Sequence, residues 1–229
     1  MTLSVQTRRV GDVVVLACRG TIAGGAGAAE LQRLVEQLLP LEPQILLDGA
    51  EVTFLDSAGV GVLVRLLHRT RSASGDLKLC RLPPRVADVL RITRLDGVFD
   101  AHAREDEAIA AFYRSRPAGG PQPFGGNIIC IDDSPDLLAY IAGVLRAAGY
   151  RVLPCGNVAD AAVLLKVSSP RAIIAGAGMR ARLESAIGPH GAGRTVAILE
   201  LPPGLGSRDP VESSRELVTL AHALVGEPT

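Results

Sequence analysis

The sequence has no tryptophan, and Phe and Tyr together bring the aromatic share to only 3%. A core built around large rings is therefore excluded. The interior has to be aliphatic, drawn from Leu, Val, Ile and Ala within the 48% of hydrophobic residues among 229. Net charge is lacking as well: 24 basic residues balance 24 acidic ones, for a formal charge of +0. That balance leaves no electrostatic footprint for nucleic acid or an anionic membrane, and neither is expected as a partner. No apolar run approaches the roughly 18 residues a membrane-spanning helix requires. The apolar stretch Val13–Cys18 is too short for a signal peptide, so a cytoplasmic protein is expected. Cysteine is scarce. Cys18, Cys80, Cys130 and Cys155 are widely spaced, each in or beside an apolar run, and none belongs to a C-x-x-C pair. They read as buried free thiols, not disulfides or zinc ligands.

Enzyme signatures are also missing. His68, His102, His190 and His222 are scattered without ligand spacing. The chain has no Gly-x-Ser-x-Gly elbow. Gly24, Gly25 and Gly27 form a glycine-rich stretch, but the Gly-Lys-Ser/Thr ending of a phosphate loop does not follow; it reads as a loop leading into a helix. The expectation is a non-enzymatic protein with no metal and no cofactor.

What is present is a twice-repeated α/β rhythm. Arg116–Gly126, reading RPAGGPQPFGG, is rich in Pro and Gly and divides the chain as a linker. Two small domains, 1–115 and 127–229, suit the length better than one. Before the linker, strands are expected at Val13–Cys18, Gln44–Leu47, Leu77–Leu82 and Val98–Ala101. Helices are expected at Ala28–Leu39, at Ala58–Leu67 continuing to about Ser72, from Pro84, and at Glu105–Tyr113. This is an α/β layer with mixed strand directions. After the linker, strands at Asn127–Ile131, Arg151–Pro154, Ala172–Ala175 and Val196–Leu199 alternate with helices at Leu137–Ala148, Val158–Val167 and Glu212–Val225. That βαβα rhythm predicts a parallel, doubly wound sheet.

The most informative segment runs from Leu46 to Gly61. A strand ends, a short polar loop follows, and a helix opens at Asp56-Ser57. Asp and Ser are favoured helix N-caps because their oxygens accept free first-turn amides, so plain capping is one reading. Gly59 and Gly61 flank Val60 in the first turns, where glycine costs about 0.5–1 kcal/mol relative to Ala. Either a partner backbone approaches closely there or the helix packs tightly on the sheet. A phosphate on Ser57 would meet free N–H groups and the positive end of the helix dipole, adding about −1.5 to −2 charges beside Asp56.

This run, Phe54-Leu55-Asp56-Ser57-Ala58-Gly59-Val60-Gly61, resembles the phosphorylation loop of STAS domains of the anti-sigma-factor-antagonist type. Val13–Gly20, Lys78–Leu82, Pro84–Leu90 and Ile92–Val98 extend the resemblance to about residues 3–113. It implies a small mixed sheet with helices, phosphorylation at Ser57, and a partner-binding loop of Thr53, Asp56, Ser57, Ala58, Gly59 and Gly61. It also implies a partner, a GHKL-type serine kinase that doubles as an anti-sigma factor and is released when Ser57 is modified. The chain departs from the family after Gly20, where Thr21, Ile22 and Ala23 replace an acidic residue. A constitutive scaffold with an unmodified Ser57 is the competing reading.

In the second half, Asp132-Asp133-Ser134-Pro135 closes a strand with two acids. They could bind Mg²⁺ at the carboxyl end of a parallel sheet, or simply cap a helix. The segment resembles the start of a response-regulator receiver domain, shortened in its second half and flavodoxin-like in fold. The resemblance puts the phosphoacceptor aspartate at Gly176, the switch Ser/Thr at Glu200 and the Lys-Pro pair at Asp209-Pro210. It thus implies a pseudo-receiver, with Asp132, Asp133, Gly176, Glu200 and Asp209 marking a degenerate pocket. Three like charges at Asp132, Asp133 and Glu200 would oppose a phosphate there. Dimerisation or binding of a second protein is the role left to it.

Overall fold

This computed structural model describes residues 2–114, 127–187, 196–204 and 209–225. The linker 116–126 and His190 lie outside the described residues. The chain divides into two compact units, one built from residues 1–8 and 12–115 and the other from residues 9–11 and 116–229. Among the described residues no helix is long and apolar enough to cross a membrane.

In the first unit the elements run β1 (Ser4–Val10), β2 (Val13–Ile22), α1 (Ala26–Leu38), β3 (Gln44–Leu55), α2 (Ser57–Ser72), β4 (Asp76–Cys80), α3 (Pro84–Ile92), β5 (Asp100–His102) and α4 (Glu105–Arg114). The strand order is β5-β4-β3-β2-β1. β2 through β5 are mutually parallel. β1 enters β2 through Gly11-Asp12, where Gly11 takes a left-handed φ of 61° that a tight hairpin needs. The sheet is therefore mixed.

Period-two alternation sorts the side chains onto two faces. Val14, Leu16 and Cys18 of β2, Ile45 and Leu47 of β3, and Leu77 and Leu79 of β4 form one core. Leu31 and Val35 of α1, Leu63, Leu66 and Leu67 of α2, and Val86 and Leu90 of α3 pack into it. Each such buried Leu or Val contributes about 1.5–3 kcal/mol. The alternate positions carry Asp48, Lys78 and Cys80, all buried. They lie on the side where the Phe112 ring of α4 sits 5.1 Å from the Lys78 ammonium. These charges survive burial because they are paired. Arg81 grips Asp48 with two hydrogen bonds of 2.9 and 2.5 Å and reaches Glu105 of α4 at 3.2 Å. Arg8 pairs with the same Glu105. Lys78 pairs with Asp100 at 2.5 Å and Asp76 at 3.2 Å.

The second unit runs β6 (Asn127–Ile131), α5 (Pro135–Ala147), β7 (Arg151–Cys155), α6 (Val158–Ser168), β8 (Ala172–Ala175), α7 (Met179–Ile187), β9 (Ala197–Glu200) and α8 (Pro210–Val225). All neighbours in the order β7-β6-β8-β9 are parallel. Moving from β6 to β7 and then from β7 to β8 reverses direction across the sheet, so right-handed crossovers put α5 and α6 on opposite faces. Ile141 and Leu145 of α5 share a core with Ile128, Val152 and Ile174, closed by Leu217 and Ala221 of α8.

Several expectations need correction. Residues 48–55 are not a polar loop, because β3 continues to Leu55. β2 is long enough to offer partners all the way, pairing Arg19 with Glu51, Gly20 with Val52 and Ile22 with Leu55 across two register shifts. Val52 and Leu55 turn into the core, and Arg19 pairs with Glu51. The last strand of this unit begins at Asp100, not Val98, since Val98 and Phe99 close a turn onto Leu95. The strand containing the expected acceptor position stops at Ala175, one residue before Gly176. Two elements go beyond the sequence reading. β1 is a mostly exposed strand rich in polar residues, which hides its alternation. In α7 only Met179 and Leu183 are buried, an i, i+4 pair too sparse to stand out.

Candidate functional site

The strongest candidate is the β3–α2 junction. Asp56 has an extended backbone and caps α2, its Oδ1 accepting from the Gly59 amide at 2.7 Å. Because Asp56 performs the capping, Ser57 becomes the first helical residue. It is exposed, and its hydroxyl has no hydrogen-bond partner among the described residues. Beyond the capping Asp56, α2 has no acidic residue in its first turn, so the first-turn amides that Asp56 does not bond keep part of the helix's positive end. Thr53 is exposed and donates from Oγ1 to the Gly20 carbonyl at 3.1 Å. Phe54, 55% exposed, is a large apolar side chain left on the surface next to the loop. The β2–α1 loop closes the other side, where a Cβ at Gly24 would stand 3.1 Å from that of Ala58.

The two glycines separate here. A Cβ on Gly59 would collide with the Ile22 carbonyl and lie 2.8 Å from Leu55 Cδ1. Gly59 is thus buried against the end of β2, and tight packing on the sheet accounts for it. It is removed from the exposed set that a partner could touch. Gly61 has room: the nearest atom to an added Cβ is Arg65 Nη1, at 3.3 Å. Thr53, Asp56, Ser57, Ala58 and Gly61 remain together around the α2 N-terminus, with Asp56 and Gly61 only partly covered.

The corresponding junction in the second unit is used differently. Asp132 is buried, and its Oδ1 accepts from the Ser134 amide at 2.7 Å. Ser134 caps α5, accepting from the Leu137 amide at 3.3 Å, with Pro135 at the first helical position. Asp133 is exposed. A Cβ built on Gly176 would fall within the Asp132 carboxylate, 2.7 Å from its carboxyl carbon. The Asp132 side chain therefore fills the volume that a side chain at 176 would need. Glu200 accepts from the Gly178 amide at 2.6 Å. Asp209 caps α8, accepting from Val211 at 2.8 Å and Glu212 at 3.1 Å. Among the described residues no three His, Cys, Asp or Glu side chains are grouped so as to hold a metal. Asp132 is buried, whereas Asp133 and Glu200 are exposed.

All four cysteines are free and buried. Burial pushes the Cys18 and Cys80 thiols up to about 12, with the Asp48 carboxylate adding to the effect. Burial also pushes Cys130 up to about 12 and raises Cys155 further. Such thiols stay protonated and are poor nucleophiles or ligands.

Residues 4–108 match the family model of the STAS domain. The N-terminal unit is a STAS domain. Over 107 residues, 46% of this chain and 92% of the relative, it is 29% identical to BtrV of Bordetella bronchiseptica, a protein named as an anti-sigma factor antagonist. Among solved structures it is similar to a Thermotoga maritima protein of the same naming (26% identity, TM-score 0.44, covering 47% of this chain and 93% of that one). It is also similar to the phosphorylated form of the Bacillus cell-fate determinant SpoIIAA (21% identity, TM-score 0.40, covering 47% and 98%). The STAS match accounts for the mixed sheet and its helices, and places the β3–α2 junction inside the matched residues.

Proposed function

We propose that this chain is a signalling adaptor of the anti-sigma-factor-antagonist type, acting by binding and not by catalysis. Its STAS domain binds an anti-sigma factor that is also a GHKL-type serine kinase, and phosphorylation of Ser57 breaks that complex. The observation that carries the reading is the division of labour at the α2 N-terminus. Asp56 does the capping and leaves the Ser57 hydroxyl exposed and unspent. A phosphate there adds about −1.5 to −2 charges at pH 7. Set beside Asp56, it turns a surface formed by Thr53, Phe54, Ala58 and Gly61 from near-neutral to strongly anionic. Charge introduced into an apolar contact opposes binding through desolvation and like-charge repulsion. The name of the Bordetella bronchiseptica relative supports the same class of role.

The second unit is read as a pseudo-receiver that binds a protein, either a second copy or another partner. Its parallel order β7-β6-β8-β9 suits that fold, and the acceptor position carries Gly176, over which the Asp132 carboxylate lies. A phosphate has no side chain to join at that point.

The test is a set of pull-downs from native lysate with wild type, Ser57→Ala and Ser57→Glu, with bound proteins identified by mass spectrometry. A serine-kinase-like protein is expected on wild type and Ser57→Ala, and lost at least tenfold on Ser57→Glu, as a rise of about 1.4 kcal/mol in binding free energy would produce. Equal recovery on all three would make Ser57 a structural residue and the chain a constitutive scaffold.

A further inference from the structure

The exposed face of α2 carries a second feature beyond Ser57. The helix has three arginines, Arg65, Arg69 and Arg71. Arg69 pairs with Glu36 at 2.9 Å, and Arg71 pairs with Asp76 at 3.3 Å. Arg65 is exposed and has no carboxylate partner among the described residues. Its guanidinium instead folds back toward the helix N-terminus and lies over Gly61, with Nη1 3.3 Å from where a Cβ would stand. Side chains on a helix lean toward the N-terminus, and residues i, i+4 and i+8 form a continuous ridge. Ser57, Gly61 and Arg65 occupy that ridge. The missing side chain at Gly61 gives the guanidinium a seat one turn from Ser57, where neighbouring Cβ positions are about 5–6 Å apart.

We infer that Arg65 is the residue that holds a phosphate on Ser57, with Gly61 as the opening through which it reaches. This deepens the reading given above and rests on modification of Ser57. A guanidinium is suited to the task because it presents paired donors to phosphate oxygens and never deprotonates. The phosphate is thereby drawn back along α2 over Gly61, so the modified state presents an ordered anionic ridge to the partner. Asp56, one residue before Ser57, opposes this by like charge. It is unchanged in the variants below, so their differences isolate Arg65.

The experiment installs phosphoserine at position 57 during translation of the full chain and follows its ³¹P resonance against pH. The second ionisation of a phosphomonoester falls near pH 6. A nearby cation favours the dianion and lowers that value. Arg65→Gln is expected to raise it by about half a pH unit, the size of a solvent-exposed contact at about 4 Å. Gly61→Leu keeps the arginine but fills its seat, and is expected to raise the value in the same direction. Arg65→Lys is expected to retain part of the lowering. An unchanged value in either Arg65→Gln or Gly61→Leu overturns the inference. Because the phosphate is installed and not transferred by a kinase, failure here is distinct from failure of the Ser57 reading. That second failure appears as absence of a Ser57 phosphopeptide from the native cell.

Discussion

The two strand-to-helix junctions, β3–α2 in the STAS unit and β6–α5 in the second unit, use nearly the same residues to opposite ends. In each, an Asp directly follows the strand and a Ser stands at or beside the helix start. At β3–α2 the aspartate takes the capping bond, at 2.7 Å to Gly59, and the serine is left exposed. At β6–α5 the serine takes the cap, and the Asp132 carboxylate is spent on the Ser134 amide and on the volume over Gly176. The lesson is that reactivity at a helix start depends on which side chain the backbone consumes. Glycine shows the same contrast. Gly59 is required by the Ile22 carbonyl of β2, whereas Gly176 is covered by a side chain that can turn away.

The largest expected effect treats both units alike and defines what they share. Thiols in the unfolded chain ionise near pH 9, while Cys18, Cys80 and Cys130 in the folded protein hold their protons to about 12. A folded value raised above the unfolded one contributes stability that is complete below pH 9 and is lost as pH rises toward 12. Cys130 alone accounts for about 1.4 kcal/mol per pH unit within that window. Urea midpoints should therefore fall steeply from pH 9 to 11, and Cys130→Ala should flatten the slope. A flat profile in wild type would show that the thiols are not protected by burial.

The next effect separates the two glycines. Gly59→Ala drives a methyl into backbone, so a loss of about 2–3 kcal/mol is expected by urea denaturation. Gly176→Ala drives it into the Asp132 carboxylate, which can rotate at the cost of its bond to Ser134, for about 1–2 kcal/mol. In an Asp132→Ala background only the 3.2 Å contact with the Cβ of residue 132 remains, so the Gly176→Ala cost should fall, a coupling that a double-mutant cycle reads directly. Equal costs in both backgrounds would remove Asp132 from the volume over Gly176.

Much of this was legible in the residues, and the remainder was hidden for identifiable reasons. Prolines and glycines punctuate the chain where helices start and stop, so Pro84, Pro135 and Gly149 marked boundaries correctly. Asp56-Ser57 stood out because two capping residues precede two helix-weakening glycines. The extension of β3 was not legible, because Glu51, Thr53 and Phe54 are exposed and only pairing with β2 keeps them extended. The buried charges Asp48 and Lys78 looked like surface residues, since their partners Arg81 and Asp100 are distant in sequence. Arg81 adopts φ 54°, a left-handed backbone that no sequence pattern announces. The relation of Arg65 to Ser57 was within reach, because the spacing of i, i+4 and i+8 is written in the sequence. What the spacing could not show is that Arg69 and Arg71 have carboxylates and that Arg65 has none among the described residues.

The smallest expected effect is also the sharpest test of the comparison. If Ser134 is consumed as a cap and Ser57 is not, the same substitution should cost differently at the two junctions. Ser134→Ala removes an acceptor from the Leu137 amide and should destabilise by about 1 kcal/mol. Ser57→Ala removes an exposed hydroxyl with no partner among the described residues, so a change within about 0.5 kcal/mol is expected. Asp56→Ala should behave like Ser134→Ala, at about 1 kcal/mol, because it is the cap of its own junction. Urea denaturation of the three variants under one buffer distinguishes them. Should Ser57→Ala prove as costly as Asp56→Ala, both residues would be holding the α2 N-terminus. The serine would then have no free hydroxyl to offer, and the contrast between the junctions would fail at its first step.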